Sequence, residues 1–221
     1  RKGVADDSLL PLLCSASARN IGGMALLIAA DRIFPTAREA TPRKGRSGES
    51  EVVLAADPAA PVAALVWKSV ADRYAGMLSI FRVYSGTLRK DATLLNPRTG
   101  ARERVGKLLR LHGEQTEEVT EVLPGQIAAI PKLKDTHTGD TLCEERHPIR
   151  IDSDPPPHGI ISFAVEAANK GEEDKVFEAL YRMMEEDHSL SLARDERTGE
   201  FLLTGLGQLH IEVTLERIAR L

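Results

Sequence analysis

Aromatic side chains make up only 4% of the 221 residues, so any core must be assembled from Leu, Val, Ile and Ala. Positive charge is not in excess either: 29 Lys and Arg stand against 33 Asp and Glu, a net charge of −4. That balance excludes a chain that is basic throughout and leaves room for nucleic acid only at a local patch. Cysteine is scarce. Cys14 and Cys143 lie far apart and outside any C-x-x-C spacing, which predicts two reduced, small core residues in a cytoplasmic, reducing compartment. No apolar run approaches the roughly 20 residues that span a bilayer, so no membrane partner is expected. The six histidines show no metal-ligand spacing and the carboxylates are scattered. Neither a metal centre nor a catalytic acid pair is expected.

The signatures of GTP hydrolysis are missing as well. A P-loop needs a Gly-rich phosphate cradle, a Lys and a Mg-binding Ser or Thr opening a helix. The run from Gly100 to Gly106-Lys107-Leu108 imitates it, but Leu stands where the hydroxyl is needed and β-type runs flank it. Asn169-Lys170-Gly171-Glu172 imitates the N-K-x-D guanine motif, yet it sits at a strand-to-helix turn where acidic residues favour a helix start. No D-x-x-G occurs. By itself this chain is expected to be inactive as a P-loop GTPase.

What is present divides into four blocks. Residues 1–35 read as a strand at Leu9, Leu10, Leu12 and Leu13, a loop from Ser15 to Asn20, and a helix over 24–33 that Pro35 ends. Residues 36–58 read as a mobile linker or an exposed insertion. Over 59–148, apolar runs at 62–67, 78–84, 105–111 and 126–130 alternate with Gly, Pro, Asn and Asp, the pattern of a β-barrel. Pro155-Pro156-Pro157 marks a stiff junction.

Residues 155–221 change to α+β. A strand is expected at 160–165, then a helix over 172–186 with an apolar stripe of Val176, Phe177, Leu180, Met183 and Met184. A hairpin around Arg197-Thr198-Gly199 and a last helix complete a βαββα order, ferredoxin-like but lacking its final strand. The expected fold is therefore multi-domain, mainly β plus α+β. An unpaired sheet edge in the last block predicts self-association. The missing initiator Met and the stop at Leu221 within a helical pattern suggest a piece of a longer protein.

One charge pattern stands out. Arg98, Arg102, Arg104, Lys107, Arg110 and His112 are opposed only by Glu103, and Glu114, Glu117, Glu118 and Glu121 follow. Strand alternation would put part of the basic set on an outer face. That face either meets phosphates or is a solvated surface balanced by its acidic neighbour.

Three segments carry a family resemblance. The run Thr204-Gly205-Leu206-Gly207-Gln208-Leu209-His210 resembles S-G-M-G-E-L-H in the third domain of elongation factor G-type translational GTPases, with Gln208 in place of Glu. Gly205 and Gly207 are expected to permit a tight turn that a Cβ would resist. Upstream, Val165-Glu166, Lys170, Glu185-Glu186-Asp187 and Thr198-Gly199 are similar to further motifs of that domain. Ala63-Ala64-Leu65-Val66-Trp67-Lys68, Asp72-Arg73-Tyr74-Ala75-Gly76 and Arg82-Val83-Tyr84-Ser85-Gly86-Thr87-Leu88 resemble the second domain. Pro11-Leu12-Leu13-Cys14-Ser15-Ala16-Ser17-Ala18-Arg19-Asn20 looks like the segment that closes the GTPase domain.

The resemblance implies a fragment of a factor that drives tRNA–mRNA translocation, using GTP or GDP and Mg in the parent and none bound to this chain. Ser15, Ala16 and Ser17 would lie on the guanine side. The barrel would dock on the ribosome, meeting rRNA and small-subunit proteins, with Arg98, Arg102, Arg104, Lys107 and Arg110 as RNA-contact candidates. Glu166, Lys170, Gly205, Gly207, Gln208, His210 and Glu212 would relay the nucleotide state between domains. A paralogous factor of the tetracycline-protection or release-factor type, or a non-catalytic rRNA-binding module, are the alternatives.

Overall fold

In the computed structural model of the chain, residues 1–72, 76–113, 115–167, 169 and 171–220 are described. The first block opens with a one-turn helix, α1 (Lys2–Ala5), and ends with α2 (Gly23–Arg32). Between them the backbone folds back on itself, with Ala16 and Ile21 exchanging hydrogen bonds of 3.0 and 3.2 Å. The apolar run at 9–13 forms no strand, because no neighbouring strand lies beside it among the described residues. Leu10 and Leu12 stay 84% and 92% exposed. Cys14 is also exposed, which corrects the expectation of a core residue, whereas Cys143 is buried. Burial pushes the Cys143 thiol up.

Residues 36–58 are not an unstructured linker. They contain a hairpin of β1 (Arg43–Ser47) and β2 (Ser50–Leu54), in register from Arg43↔Leu54 to Ser47↔Ser50. Gly48 takes the left-handed φ of +60° that the tight turn demands. The hairpin is held from afar: a two-residue strand at Arg150–Ile151 pairs with β1. Leu54, Ala63, Leu65, Ile149 and Ile151 then form a core of their own. Polar composition concealed this element, since the apolar surface that stabilises it comes from residues far along the chain.

The barrel block runs β3 (Ala63–Asp72), β4 (Gly76–Ser85), β5 (Leu88–Arg89), β6 (Thr93–Leu95), β7 (Arg102–Arg104), β8 (Leu108–His112), β9 (Gln115–Val119), β10 (Glu121–Val122), β11 (Ile127–Pro131) and β12 (Thr141–Cys143), with β13 (Arg150–Ile151) following. Its main sheet has the order β7-β6-β12-β3-β4-β11-β8-β9, and β10 pairs with β5. Leu94 of β6 and Leu108 of β8 belong to one buried cluster with Phe81, Val66 and Ile130. Strands lie about 4.8 Å apart, so a flat sheet would hold β6 and β8 roughly 24 Å from each other. The sheet must roll round its core, as a β-barrel does.

The last block is β14 (Ile161–Val165), α3 (Glu173–Glu186), β15 (Ser191–Arg194), β16 (Phe201–Gly205) and α4 (Gln208–Ile218). The three strands are antiparallel in the order β14-β16-β15. The expected helical stripe packs on them: Leu180 and Met183 are buried with Leu190, Leu203 and Ile211, and Val176, Phe177 and Met184 pack alongside. Each such side chain contributes about 1.5–3 kcal/mol by leaving water. Phe177 and Phe201, two of the few aromatics, meet with ring centroids 4.4 Å apart.

Candidate functional site

The C-terminus of α3 carries three consecutive acids, Glu185, Glu186 and Asp187. The partial negative charge at a helix C-terminus disfavours acids there, so donors are needed nearby. Two elements supply them. Arg217 of α4 donates from Nη2 to Glu186 Oε2 at 2.8 Å, and the backbone N–H of Ala71 in barrel strand β3 donates to Glu186 Oε1 at 2.6 Å. The Glu186 side chain is only 10% exposed. One carboxylate thus joins α3, α4 and the barrel.

Asp187 faces the turn from β16 into α4. Its Oδ1 accepts from Ser189 N at 2.9 Å and Ser189 Oγ at 2.5 Å, and its Oδ2 lies 3.0 Å from His210 Nε2. The other ring nitrogen, Nδ1, accepts the N–H of Leu206 at 3.2 Å. A bare Nδ1 leaves the proton on Nε2, which therefore donates to Asp187. Burial acts to raise the Asp187 pKa, but the hydrogen bonds from Ser189 and the contact with His210 outweigh it, and the carboxyl ends below its usual range.

The two glycines of the turn differ. A Cβ on Gly205 would meet His210 Nδ1 and Ile211 Cγ1 at 3.1 Å and Leu190 Cδ2 at 3.4 Å. A Cβ at 205 would therefore fit only if these side chains gave way by a few tenths of an ångström. Gly207 is extended, φ 176° and ψ 169°, with nothing within 4 Å of a Cβ built there. Neither glycine takes the left-handed backbone that a tight turn was expected to demand; Gly205 is crowded by side chains and Gly207 is open.

Of the other relay candidates, Gln208 and Glu212 are exposed and joined side chain to side chain across one helical turn, 2.8 Å, so a neutral amide meets the carboxylate. Glu166 is exposed just beyond β14. Lys170 lies outside the described residues. Sequence reasoning missed Glu186, Asp187, Arg217 and Ala71 as a junction. The signal that could have found them was the run of acids at the wrong end of a helix.

The RNA-contact candidates all have acidic partners. Arg102 and Arg104 point outward from β7 while Glu103 between them turns inward, where it accepts hydrogen bonds from Asp135 N at 2.7 Å, Lys134 N at 3.1 Å and Thr136 Oγ1 at 3.0 Å. Arg102 pairs with Glu145, Arg104 with Asp91 at 3.5 Å, Lys107 with Glu118 at 3.6 Å, and Arg110 with Glu117 at 3.4 Å. The acidic stretch folds back as β9, placing Glu117 directly opposite Arg110. Arg98 is different: it grips the buried Asp140 with Nε and with Nη2 at 2.7 Å, and Asn96 Nδ2 adds a bond to the same carboxylate at 2.9 Å.

Ser15, Ala16 and Ser17 lie exposed in the N-terminal loop, away from these contacts. β7 occupies the middle of the P-loop-like run, and strand β8 begins at Leu108, where a P-loop would open a helix. In the N-K-x-D-like run, Asn169 Nδ2 donates to Glu172 Oε2 at 2.8 Å and thereby closes a helix-start turn. Among the described residues no three metal-ligating side chains cluster, and no helix is long and apolar enough to cross a membrane.

Comparison with known proteins gives three results. Family models match in two places, elongation factor G domain 2 over residues 61–145 and elongation factor G domain III over residues 156–221. The elongation factor G of Thermotoga maritima is 40% identical over 222 residues, covering 100% of this chain and 32% of that protein, so the chain spans about a third of its relative. A crystal structure of a protein from Thermus thermophilus superposes with a TM-score of 0.73 at 28% identity, over 93% of this chain and 29% of that one.

Proposed function

Because the chain belongs to the elongation factor G family and carries its second and third domains, we propose that it is the portion of a translational GTPase that docks on the ribosome and relays nucleotide state during tRNA–mRNA translocation. In this reading residues 1–35 close the GTPase domain, 59–148 are the docking barrel and 155–221 the relay domain. The observation that carries it is the Glu186–Asp187 junction. Neighbouring carboxylates connect α3 to a barrel strand on one side and to the start of α4 on the other. A rotation imposed on either domain is thereby felt at the Gly205–Gly207 turn, as rigid-body switching requires.

By family resemblance, the phosphates of the parent's GTP or GDP and its Mg would be held by a P-loop, a motif that this sequence lacks. Ser15, Ala16 and Ser17 would flank the base with small side chains that permit close approach. On the barrel, Arg102, Arg104, Lys107 and Arg110 would meet rRNA phosphates or proteins of the small subunit. Their ion pairs lie on the surface and are screened by water, so phosphate can replace carboxylate.

Gly207, Gln208 and Glu212 are the contact points proposed for the relay; Glu166 and Lys170 are proposed with them by family resemblance, Glu166 following the end of β14 remote from Ile161, the residue that faces Gly205. In the full-length factor, Gly207→Val is expected to leave GTP binding intact while lowering ribosome-stimulated turnover. Unchanged multiple-turnover activity would count against the reading.

A further inference from the structure

The small sheet of β13, β1 and β2 contains an arrangement that its own packing does not require. Arg46 of β1 and Arg150 of β13 are directly opposed in antiparallel register, so both side chains leave the sheet on one face. Like charges at opposed positions repel. Gly45 brings the two strands closer still, for a Cβ there would meet the Arg150 carbonyl oxygen and Ile149 Cγ2 at 3.0 Å.

Two carboxylates share this face: Glu51, opposite Arg46 on β2, is taken up by Lys44 at 2.9 Å, which leaves Asp152 to pair with Arg46. Asp152 Oδ2 accepts from Arg46 Nε at 3.0 Å, in an exposed contact. Arg43, on the other face of β1, donates to the Asp152 backbone carbonyl at 2.6 Å and holds that loop in place. Arg46, Arg150 and Asp152 line a concavity of about 500 Å³ together with Gly48, Pro97 and Pro148.

We infer that this concavity binds the backbone of single-stranded or looped RNA, with one phosphodiester seated between the guanidinium groups of Arg46 and Arg150. Planar guanidinium forks suit the non-bridging oxygens of a phosphate, and Pro97 and Pro148 give the adjoining sugar an apolar wall. The phosphate takes over the role that Asp152 fills in its absence, and relieves the repulsion across the ladder. The inference rests on the reading of the barrel as an RNA-docking domain, and it extends the contact surface to a sheet outside Arg98–Arg110.

The test uses the 221-residue chain and a fluorescein-labelled oligouridylate of about 12 nucleotides, long enough to span the site size of a barrel-type single-strand binder. Anisotropy is followed over a salt series. Arg46→Gln/Arg150→Gln is expected to weaken binding about tenfold, and to reduce the slope of log K against log salt by about 0.7, since one phosphate is then no longer neutralised. Both residues are exposed, so thermal unfolding of the variant should match the parent chain.

If that variant binds as tightly as the parent chain while Arg102→Gln/Arg110→Gln binds more weakly, the site is overturned and barrel docking survives. If the parent chain shows no salt-dependent RNA binding, both readings fall. NMR of the arginine side chains separates the sources of the anion. Shifts at Arg46 and Arg150 caused by inorganic phosphate or by a poly-glutamate peptide, but not by the oligouridylate, would overturn the assignment to RNA.

Discussion

Ala71 donates its backbone N–H to Oε1 of Glu186 across 2.6 Å, so a side chain of the third domain satisfies a donor on a barrel strand. The same carboxylate takes a charged hydrogen bond from Arg217 at 2.8 Å. An acid that is unfavourable for its own helix end becomes favourable by holding two other elements.

Removing that carboxylate should therefore loosen one contact between domains without unfolding either. Glu186→Ala is expected to strip amide-exchange protection from Ala71, while Leu203, in the middle strand of the third domain, keeps its own. Ala71 exchanging at the parental rate in the variant would contradict the link.

The ring of His210 should be found in a single neutral tautomer, with its proton on Nε2, because the Leu206 amide occupies Nδ1. Long-range nitrogen–proton NMR reads this directly. His210→Ala should cost about 1–2 kcal/mol, leaving the Leu206 donor and one Asp187 oxygen unpaired. Proton density on Nδ1 would be incompatible with the hydrogen bond from Leu206 N–H.

Acid should weaken the fold through Asp140 and Asp187. Burial works to raise the Asp140 pKa, but the Arg98 guanidinium, the His137 N–H and the Asn96 amide overcome it and hold the carboxyl low. Asp187 is held low in the same way by Ser189 and His210. A carboxyl with a folded pKa below its unfolded value, about 3.9, binds fewer protons when folded. Its stabilisation is complete above the unfolded value and is lost as pH falls through the folded one. Asp140→Asn should flatten the loss of barrel stability below about pH 4, followed by the fluorescence of Trp67 in β3. An unaltered pH dependence would rule Asp140 out as a contributor.

The glycines of the turn should separate fold from contact. Gly205→Ala is expected to destabilise the third domain by about 1–3 kcal/mol, the range for overpacking, because its Cβ meets His210 and Ile211 at 3.1 Å. Gly207→Ala should leave thermal unfolding unchanged. Equal losses of melting temperature in the two variants would refute the distinction.

Strand β14 lies at the end of its sheet, and Ile161 and Phe163 on it are 36% and 38% exposed. Such an edge pairs readily with another copy. Light scattering should show a mass that rises with concentration, and strict monomer behaviour at high concentration would remove the idea.

The elements with strong local signals were legible in the sequence. The α3 stripe from Val176 to Met184 packs on the third-domain sheet as its periodicity requires, and the hairpin around Thr198-Gly199 forms. Residues that depend on distant partners were not legible. The β1–β2 hairpin looked like linker because Ile149 and Ile151, which cover it, lie about a hundred positions later. Leu9–Leu13 looked like a strand because apolar runs often are, yet a strand needs a ladder neighbour. In the candidate site, Gly205 and His210 were visible as a motif. Glu186 and Asp187 were visible only as part of a Glu-Glu-Asp motif, and their partners Ala71 and Arg217 only through the fold.

The three-stranded sheet of β13, β1 and β2 also sets how the barrel would respond to mechanical load. The chain runs into the barrel through Arg43 and leaves it past Ile151, and Gly45 and Ile151 are neighbours in the ladder. Both connections thus depart from the same end of one antiparallel pair. Tension applied along the chain at Arg43 and just past Ile151 would peel β13 from β1 one hydrogen bond at a time, as a zip opens. The barrel would yield at a low-force seam and keep its shape.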